Sequence, residues 1–267
     1  MLIPTHPDST TALDVEVTGA GEPLLLIAGM SAHRQMWTDE LLDALTPHFE
    51  VAVYDHRGIG GSSRAEAAFT TADLADDARG VLDGLGWGAA HVMGTSMGGM
   101  IAQELVLAHP DRVRSLVLGC TTAGGPGAIG SDGVVRLVEA ISSRDAARVA
   151  RAAFEVNLSP GFRSGDGAFD RFAQSSTRRK VPSAVVALQA AACAGHDTRD
   201  RLAGISVPTT VVHGDIDEVI VVDEGDRLAA GIPDAALERW PGVGHMFWWE
   251  RPERSAEVML RTAKSAG

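Results

Sequence analysis

The stretch His91-Val92-Met93-Gly94-Thr95-Ser96-Met97-Gly98-Gly99-Met100-Ile101-Ala102-Gln103-Glu104-Leu105-Val106-Leu107 decides the fold. It passes from a short apolar run, through a serine set between glycines, into a helical pattern. A turn this tight admits only glycine two positions before and two positions after the serine, and Gly94 and Gly98 stand there. The serine is then held in a strained conformation with its hydroxyl raised clear of the sheet. It sits at the start of the following helix, where free backbone N–H groups favour developing negative charge. This pattern is the Gly-x-Ser-x-Gly nucleophile elbow. A glycine-rich turn that merely joins two elements has no need of the strand and helix that flank this one.

Outward from the elbow, short apolar runs alternate with helical patterns. Leu24 to Ala28, Val51 to Tyr54, His91 to Met93, Leu116 to Leu118, Thr209 to Val212 and Leu237 to Trp240 read as strands. Such alternation implies parallel strands joined by crossover helices, hence an α/β fold with a mostly parallel central sheet flanked by helices. Ala12 to Thr18 alternates apolar and polar residues and reads as an antiparallel strand at the sheet edge. The rhythm breaks between Thr121 and Val207. A Gly/Pro loop at Ala123 to Gly127 leads into helical segments from about Asp132 to Asn157 and from about Pro182 to Ala194, with a looser region from Ser159 to Gly167 between them. This part reads as an inserted helical cap, so that 1–122 and 206–267 form the core and 123–205 the cap.

The bulk properties exclude several classes. The chain has 267 residues, 35 acidic against 23 basic side chains, and a formal net charge of -12, which argues against nucleic acid or an anionic membrane as the main partner. Cys120 ends an apolar run and Cys193 lies in an alanine-rich helical one, so neither a disulfide framework nor a metal cluster is expected. The stretch Met1 to Asp8 lacks a basic region and a long apolar segment, and no run is long enough to cross a bilayer. The expectation is a cytoplasmic protein, a monomer or homodimer, acting on a small molecule.

A serine hydroxyl needs a base to take its proton and a third group to orient that base. His245, in the glycine-rich loop Gly242-Val243-Gly244-His245 after the last predicted strand, is the base candidate. The acid lies in Gly214-Asp215-Ile216-Asp217-Glu218, where Asp217 and Asp215 are both placed to receive the imidazole N–H and Glu218 is a weaker third. Spacing alone does not choose between the two aspartates. The amide of Met97, just after the serine, is one oxyanion donor; the amide of Met30, in the loop Gly29-Met30-Ser31, is the other.

With these motifs in place, the chain resembles the α/β-hydrolase superfamily over nearly its whole length. The resemblance rests on Gly94 to Gly98, on Tyr54-Asp55-His56-Arg57-Gly58-Ile59-Gly60-Gly61-Ser62, on Gly214 to Asp217, and on Gly244-His245 with Glu250 and Pro252 following. It implies the α/β-hydrolase fold and places the catalytic acid at Asp217, the second acid of the Gly-x-x-Asp run. It also makes Asp55 and Arg57 structural braces of their loop. One departure stands out: Ala28-Gly29 occupies the place where the superfamily usually has His-Gly. The arrangement around Gly29-Met30 and Ser96-Met97 is similar to that of actinobacterial polyketide methylesterases of the aclacinomycin type and of enol-lactonases, and more loosely to that of C–C bond hydrolases.

The resemblance therefore implies a serine hydrolase, free of metal and cofactor, that cleaves a carboxylic ester or lactone. Gly29, Trp37, Phe154 and Phe247 are candidate pocket residues, and an apolar lining of this kind suits a hydrophobic substrate. Two other readings fit the same residues. One is C–C bond hydrolysis or a cofactor-free decarboxylation or cyclisation. The other is ligand binding without turnover, against which the complete set of three groups argues.

Overall fold

The computed structural model describes residues 1–6, 10–65 and 67–267; Pro7 and Asp8 of the N-terminal stretch lie outside them. The chain forms β1 (Leu2–Pro4), β2 (Ala12–Gly19), β3 (Glu22–Ile27), α1 (Asp39–Leu45), β4 (Phe49–Tyr54), α2 (Thr71–Gly84), β5 (Ala90–Thr95), α3 (Met97–Ala108) and β6 (Val113–Gly119). Five inserted helices follow: α4 (Asp132–Ser142), α5 (Ala146–Asn157), α6 (Pro160–Arg163), α7 (Ala168–Ser176) and α8 (Ser183–Ala194). The core resumes with β7 (Thr209–Gly214), α9 (Val222–Gly231), β8 (Ala236–Trp240), α10 (Phe247–Glu250) and α11 (Pro252–Lys264).

The strands form one eight-stranded sheet in the order β1-β2-β4-β3-β5-β6-β7-β8. From β4 through β8 every pairing is parallel, while β1 and β2 pair antiparallel. The central strands read as unbroken apolar runs because both faces are covered. In β3, Leu25 and Ile27 face the core beneath α2 and α3, whereas Leu24 and Leu26 face the core beneath α1 and α11. Val92 and Met93 divide in the same way in β5.

Ala12 to Thr18 was expected at the sheet edge, but β1 pairs outside it, with Ile3 opposite Leu13. Three residues are too few for an alternation to be read. The helical run expected from Asp132 to Asn157 is two helices. Arg144 adopts a left-handed φ of 57°, and the Asp145 side chain then caps α5 by accepting from the Ala147 and Arg148 amides. The looser region contains the single turn α6, capped by Ser159, whose side chain accepts from the Phe162 amide.

The insertion does not interrupt the sheet, since β6 and β7 pair directly. Its two ends meet at a bridge between Gly124 and Asp197, and the Thr198 amide donates to the Ala123 carbonyl at 2.8 Å. Gln103 of α3 secures this junction: its Nε2 donates to the carbonyls of Gly99 and Thr122, and its Oε1 accepts from the Thr198 hydroxyl at 2.6 Å. The far side is held by charge. Arg179, between α7 and α8, reaches Asp14 at 2.9 Å and the fully buried Asp55 at 3.1 Å, and Arg34 meets the same two carboxylates. Asp55 is thus a brace, and Arg57 forms a bidentate pair with Asp77 of α2.

His196, at the junction where the insertion returns, is buried and within 3.1 Å of the Thr71 hydroxyl. Burial lowers its pKa to about 4, against an opposing pull from Glu104. A buried neutral histidine binds fewer protons than the unfolded chain between its two pKa values, so its contribution is present above about pH 6.5 and fades as pH falls towards 4. Denaturant titrations at pH 7 and pH 4.5 should show a loss roughly 2 kcal/mol larger in the wild type than in His196→Gln, which lacks the titration. Equal losses in the two proteins would remove His196 as the cause.

Candidate active site

The sheet delivers the candidate residues to one edge. The ends of β5, β6 and β7 lie in register, with Thr95 opposite Gly119 and Gly119 opposite Val212. Two hydrogen bonds extend this ladder past the strand ends: the Ser96 amide donates to the Gly119 carbonyl at 2.9 Å and the Cys120 amide to the Val212 carbonyl at 2.8 Å. The loop carrying His245 closes against β7, because a Cβ on Gly214 would lie 2.2 Å from the Val243 carbonyl oxygen.

At the elbow, Ser96 has φ 54° and ψ -123°, a conformation that costs a side-chain-bearing residue about 1–3 kcal/mol. The flanking glycines are required by space. A Cβ on Gly94 would lie 2.3 Å from the Gly98 carbonyl oxygen, and one on Gly98 would lie 1.9 Å from the Ile27 carbonyl oxygen. Ser96 occupies the N-cap position of α3, yet its side chain makes no capping bond. Thr38, Thr70, Ser131, Asp145 and Ser159, at the starts of α1, α2, α4, α5 and α6, all use theirs. The Ser96 hydroxyl is therefore left for another partner. It makes no hydrogen bond to His245 or to any other described side chain, and such bonds commonly tighten only once substrate is bound.

The structure decides which acid meets His245. Asp217 Oδ2 lies 2.7 Å from His245 Nδ1, both side chains being buried. Asp215 is exposed and accepts instead from the Gly242 amide at 2.7 Å, closing the neighbouring turn. The other Asp217 oxygen accepts from the amides of Val219 and Ile220 at 2.7 and 3.0 Å. Burial alone would raise the Asp217 carboxyl, but His245 and His213 beside it hold it well below the usual carboxylate range. A carboxylate can only accept, so the His245 Nδ1 carries the proton in this contact.

His213 was given no role by sequence reasoning. Its Nε2 donates to the Ile220 carbonyl at 2.8 Å and lies 3.3 Å from Asp217 Oδ2. Its one visible signal was its place in the same strand-to-loop run as Asp217. Glu250 ties down the loop of His245: Oε1 accepts from the Gly244 and Ser159 amides at 3.0 and 2.8 Å, and Oε2 accepts from the Ser159 hydroxyl. The Met246 amide donates to Asn157, so the loop of His245 also rests on the end of α5.

The amides of Met30 and Met97 have no partner among the described residues, and a Cβ on Gly29 would lie 3.6 Å from Ser96 Oγ. Where the superfamily usually has a histidine, the Ala28 carbonyl here accepts from His56 Nε2 at 2.9 Å. A histidine from the loop after β4 supplies the brace. Five non-glycine residues among those described have positive φ, and three of them, Ser31, Ser96 and Cys120, cluster here. The buried Cys120 thiol faces the Ser96 backbone and Asp217, and burial pushes its pKa well above the usual value.

Of the candidate pocket residues, Gly29 lies against Ser96. Trp37 is buried against Trp248, their ring centroids 5.4 Å apart. Phe154 joins Phe169 and Phe172 at 5.3 and 5.5 Å where the inserted helices meet the core. Phe247 is fully buried, with Trp240 at 5.3 Å, Trp248 at 5.5 Å and Gly119 against its ring, so its surface is taken up by core packing. No group of three His, Cys, Asp or Glu side chains among the described residues is arranged to hold a metal ion, and no described helix is long and apolar enough to cross a membrane.

This geometry can be compared with known proteins. Residues 22–252 match the model of the alpha/beta hydrolase fold family. The chain belongs to this family. A putative carbamate hydrolase, RutD, from Azorhizobium caulinodans is 32% identical over 246 residues, covering 92% of each chain. A thermophilic esterase from Thermogutta terrifontis superposes with a TM-score of 0.84 at 28% identity, over 100% of this chain and 98% of its own. The enol-lactonase of Burkholderia xenovorans superposes with a TM-score of 0.83 at 25% identity, over 95% and 97% of the two chains. The protein is thus a member of a hydrolase superfamily with esterase and lactonase relatives.

Gly98→Ala tests the elbow contact. The added methyl has no room beside the Ile27 carbonyl, so α3 must move away from β3. Thermal or denaturant unfolding should show a loss of about 1–3 kcal/mol. A variant as stable as the wild type would mean that the helix start is less tightly held than its geometry implies.

Proposed function

We propose that the protein is a serine hydrolase that cleaves a carboxylic ester or lactone of a hydrophobic small molecule. The observation that carries this reading is the buried 2.7 Å contact between His245 and Asp217, on the sheet edge that also bears the strained, uncapped Ser96. The esterase and enol-lactonase among the structural neighbours support it.

In this reading the substrate carbonyl lies against the free amides of Met30 and Met97. Ser96 Oγ attacks the carbonyl carbon while His245 Nε2 takes the hydroxyl proton, and Asp217 stabilises the imidazolium that results. The oxyanion forms where two N–H dipoles already point, so no reorganisation is needed at that moment. Collapse of the tetrahedral intermediate expels the alcohol, which receives the proton from His245. Water, activated by the same imidazole, then releases the acid and restores Ser96. His213 and the Val219 and Ile220 amides keep Asp217 ionised and fixed, which keeps the imidazole in the working tautomer.

Two measurements test the reading. A fluorophosphonate should label one residue, Ser96, and Ser96→Ala should abolish both labelling and 4-nitrophenyl ester hydrolysis while melting near the wild-type temperature. Asp217→Asn should lower kcat by about 10⁴-fold with the fold retained, because the amide favours the wrong imidazole tautomer. Wild-type turnover by Ser96→Ala would overturn the assignment. Labelling of Ser96 without cleavage of any ester or lactone would point to the C–C bond or cofactor-free alternative.

A further inference from the structure

Gln189 of α8 is fully buried, and the two ends of its amide are unequally provided for. Its Oε1 accepts from the Ser31 amide at 2.9 Å, whereas its Nε2 has no hydrogen-bond partner among the described residues. The assignment of oxygen and nitrogen is not arbitrary here. A backbone N–H can donate only to an acceptor, so the oxygen must face Ser31 and the NH2 must face away from it. A buried amide donor without a partner costs about 1–3 kcal/mol, and such a group calls for an explanation.

The position of the amide supplies one. Ser31 follows Met30, whose own N–H is free, and Ser31 itself is held at a left-handed φ of 58°. The loop Gly29-Met30-Ser31 touches Ser96 through Gly29. Gln189 therefore reaches from the inserted helices to the residue next to the proposed oxyanion donor, and brings two N–H bonds that nothing among the described residues uses. Its neighbours on the same helix face, Val185, Ala192 and Cys193, are buried and apolar and offer no acceptor. Met30 and Met97 already supply the two donors that the oxyanion needs. A third donor is then free for a different oxygen of the substrate.

We propose that Gln189 is a specificity residue: its Nε2 donates to a neutral oxygen in the acyl part of the substrate, so that the preferred esters carry an ether or keto oxygen close to the scissile carbonyl. This rests on the serine-hydrolase reading and narrows it to a substrate class. A site built to donate to such an oxygen also discriminates against the methylene analogue, since binding that analogue leaves the buried NH2 unpaired.

The test compares two esters that differ by one atom, 4-nitrophenyl methoxyacetate and 4-nitrophenyl butyrate. The ratio of their kcat/KM values in the wild type, divided by the ratio in Gln189→Met, cancels the difference in intrinsic reactivity. This quotient should be about 10, over and above any fall common to both esters from loss of the Ser31 contact. If Gln189→Met does not fold, Gln189→Leu replaces it; leucine has no proton to donate either, so the same quotient is expected. An equal fall on both esters would reduce Gln189 to a support of the oxyanion loop and overturn the proposal, as would a quotient near one. A wild type that cleaves neither ester and resists fluorophosphonate would instead sink the underlying serine-hydrolase reading and this proposal with it.

Discussion

The arrangement depends on how closely the start of α3 approaches β3. With a Cβ on Gly98 only 1.9 Å from the Ile27 carbonyl oxygen, helix and strand touch backbone to backbone. That contact sets two things together. It forces the sharp turn that strains Ser96, and it fixes the distance from Ser96 to the loop that begins at Ala28. The nucleophile candidate and the Met30 amide therefore move as one unit. The strain at Ser96, costing about 1–3 kcal/mol, is sustained because the surrounding strands are buried on both faces and leave the turn no alternative path.

A second constraint governs the acid. A carboxylate as deeply buried as Asp217 is costly unless its oxygens are satisfied. Here one oxygen takes two backbone amides and the other faces His245 and His213. Desolvation and stabilisation thus act on the same group, and the second prevails. His213 Nε2 donates to the Ile220 carbonyl and presents its N–H bond between that carbonyl and Asp217. The carboxylate is held still, and with it the imidazole ring.

The inserted helices are joined to this edge at several points of different chemistry. Arg179 meets Asp14 and Asp55, Thr198 meets Gln103, Ser159 meets Glu250, and Gln189 meets Ser31. Two of these contacts reach the segments that carry His245 and Met30: Glu250, the last residue of α10, also accepts from the Gly244 amide beside His245, and Ser31 follows Met30. Substitutions in the insertion therefore reach these candidate residues through side-chain hydrogen bonds.

Much of this was legible in the residues. The elbow, the six strands that follow one another in the parallel part of the sheet, and the break in rhythm after Thr121 are local patterns, because hydrophobic period and turn chemistry are properties of neighbouring residues. Gly94, Ser96 and Gly98 declare themselves in five positions. Residue spacing alone left Asp215 and Asp217 equivalent, and only the family resemblance placed the acid at Asp217; the sequence also gave Phe247 a place in the pocket and assigned nothing to His213 or Gln189. These were decided by tertiary structure. Which carboxylate turns inward depends on a loop folding back over β7 to meet one arriving from β8. Whether an aromatic ring lines a cavity or fills a core depends on what lies across from it, here Gly119 and Trp240. The contacts of Asp217 with His245, Gly119 with Phe247 and Gln189 with Ser31 join residues tens of positions apart or more, and no local period records them.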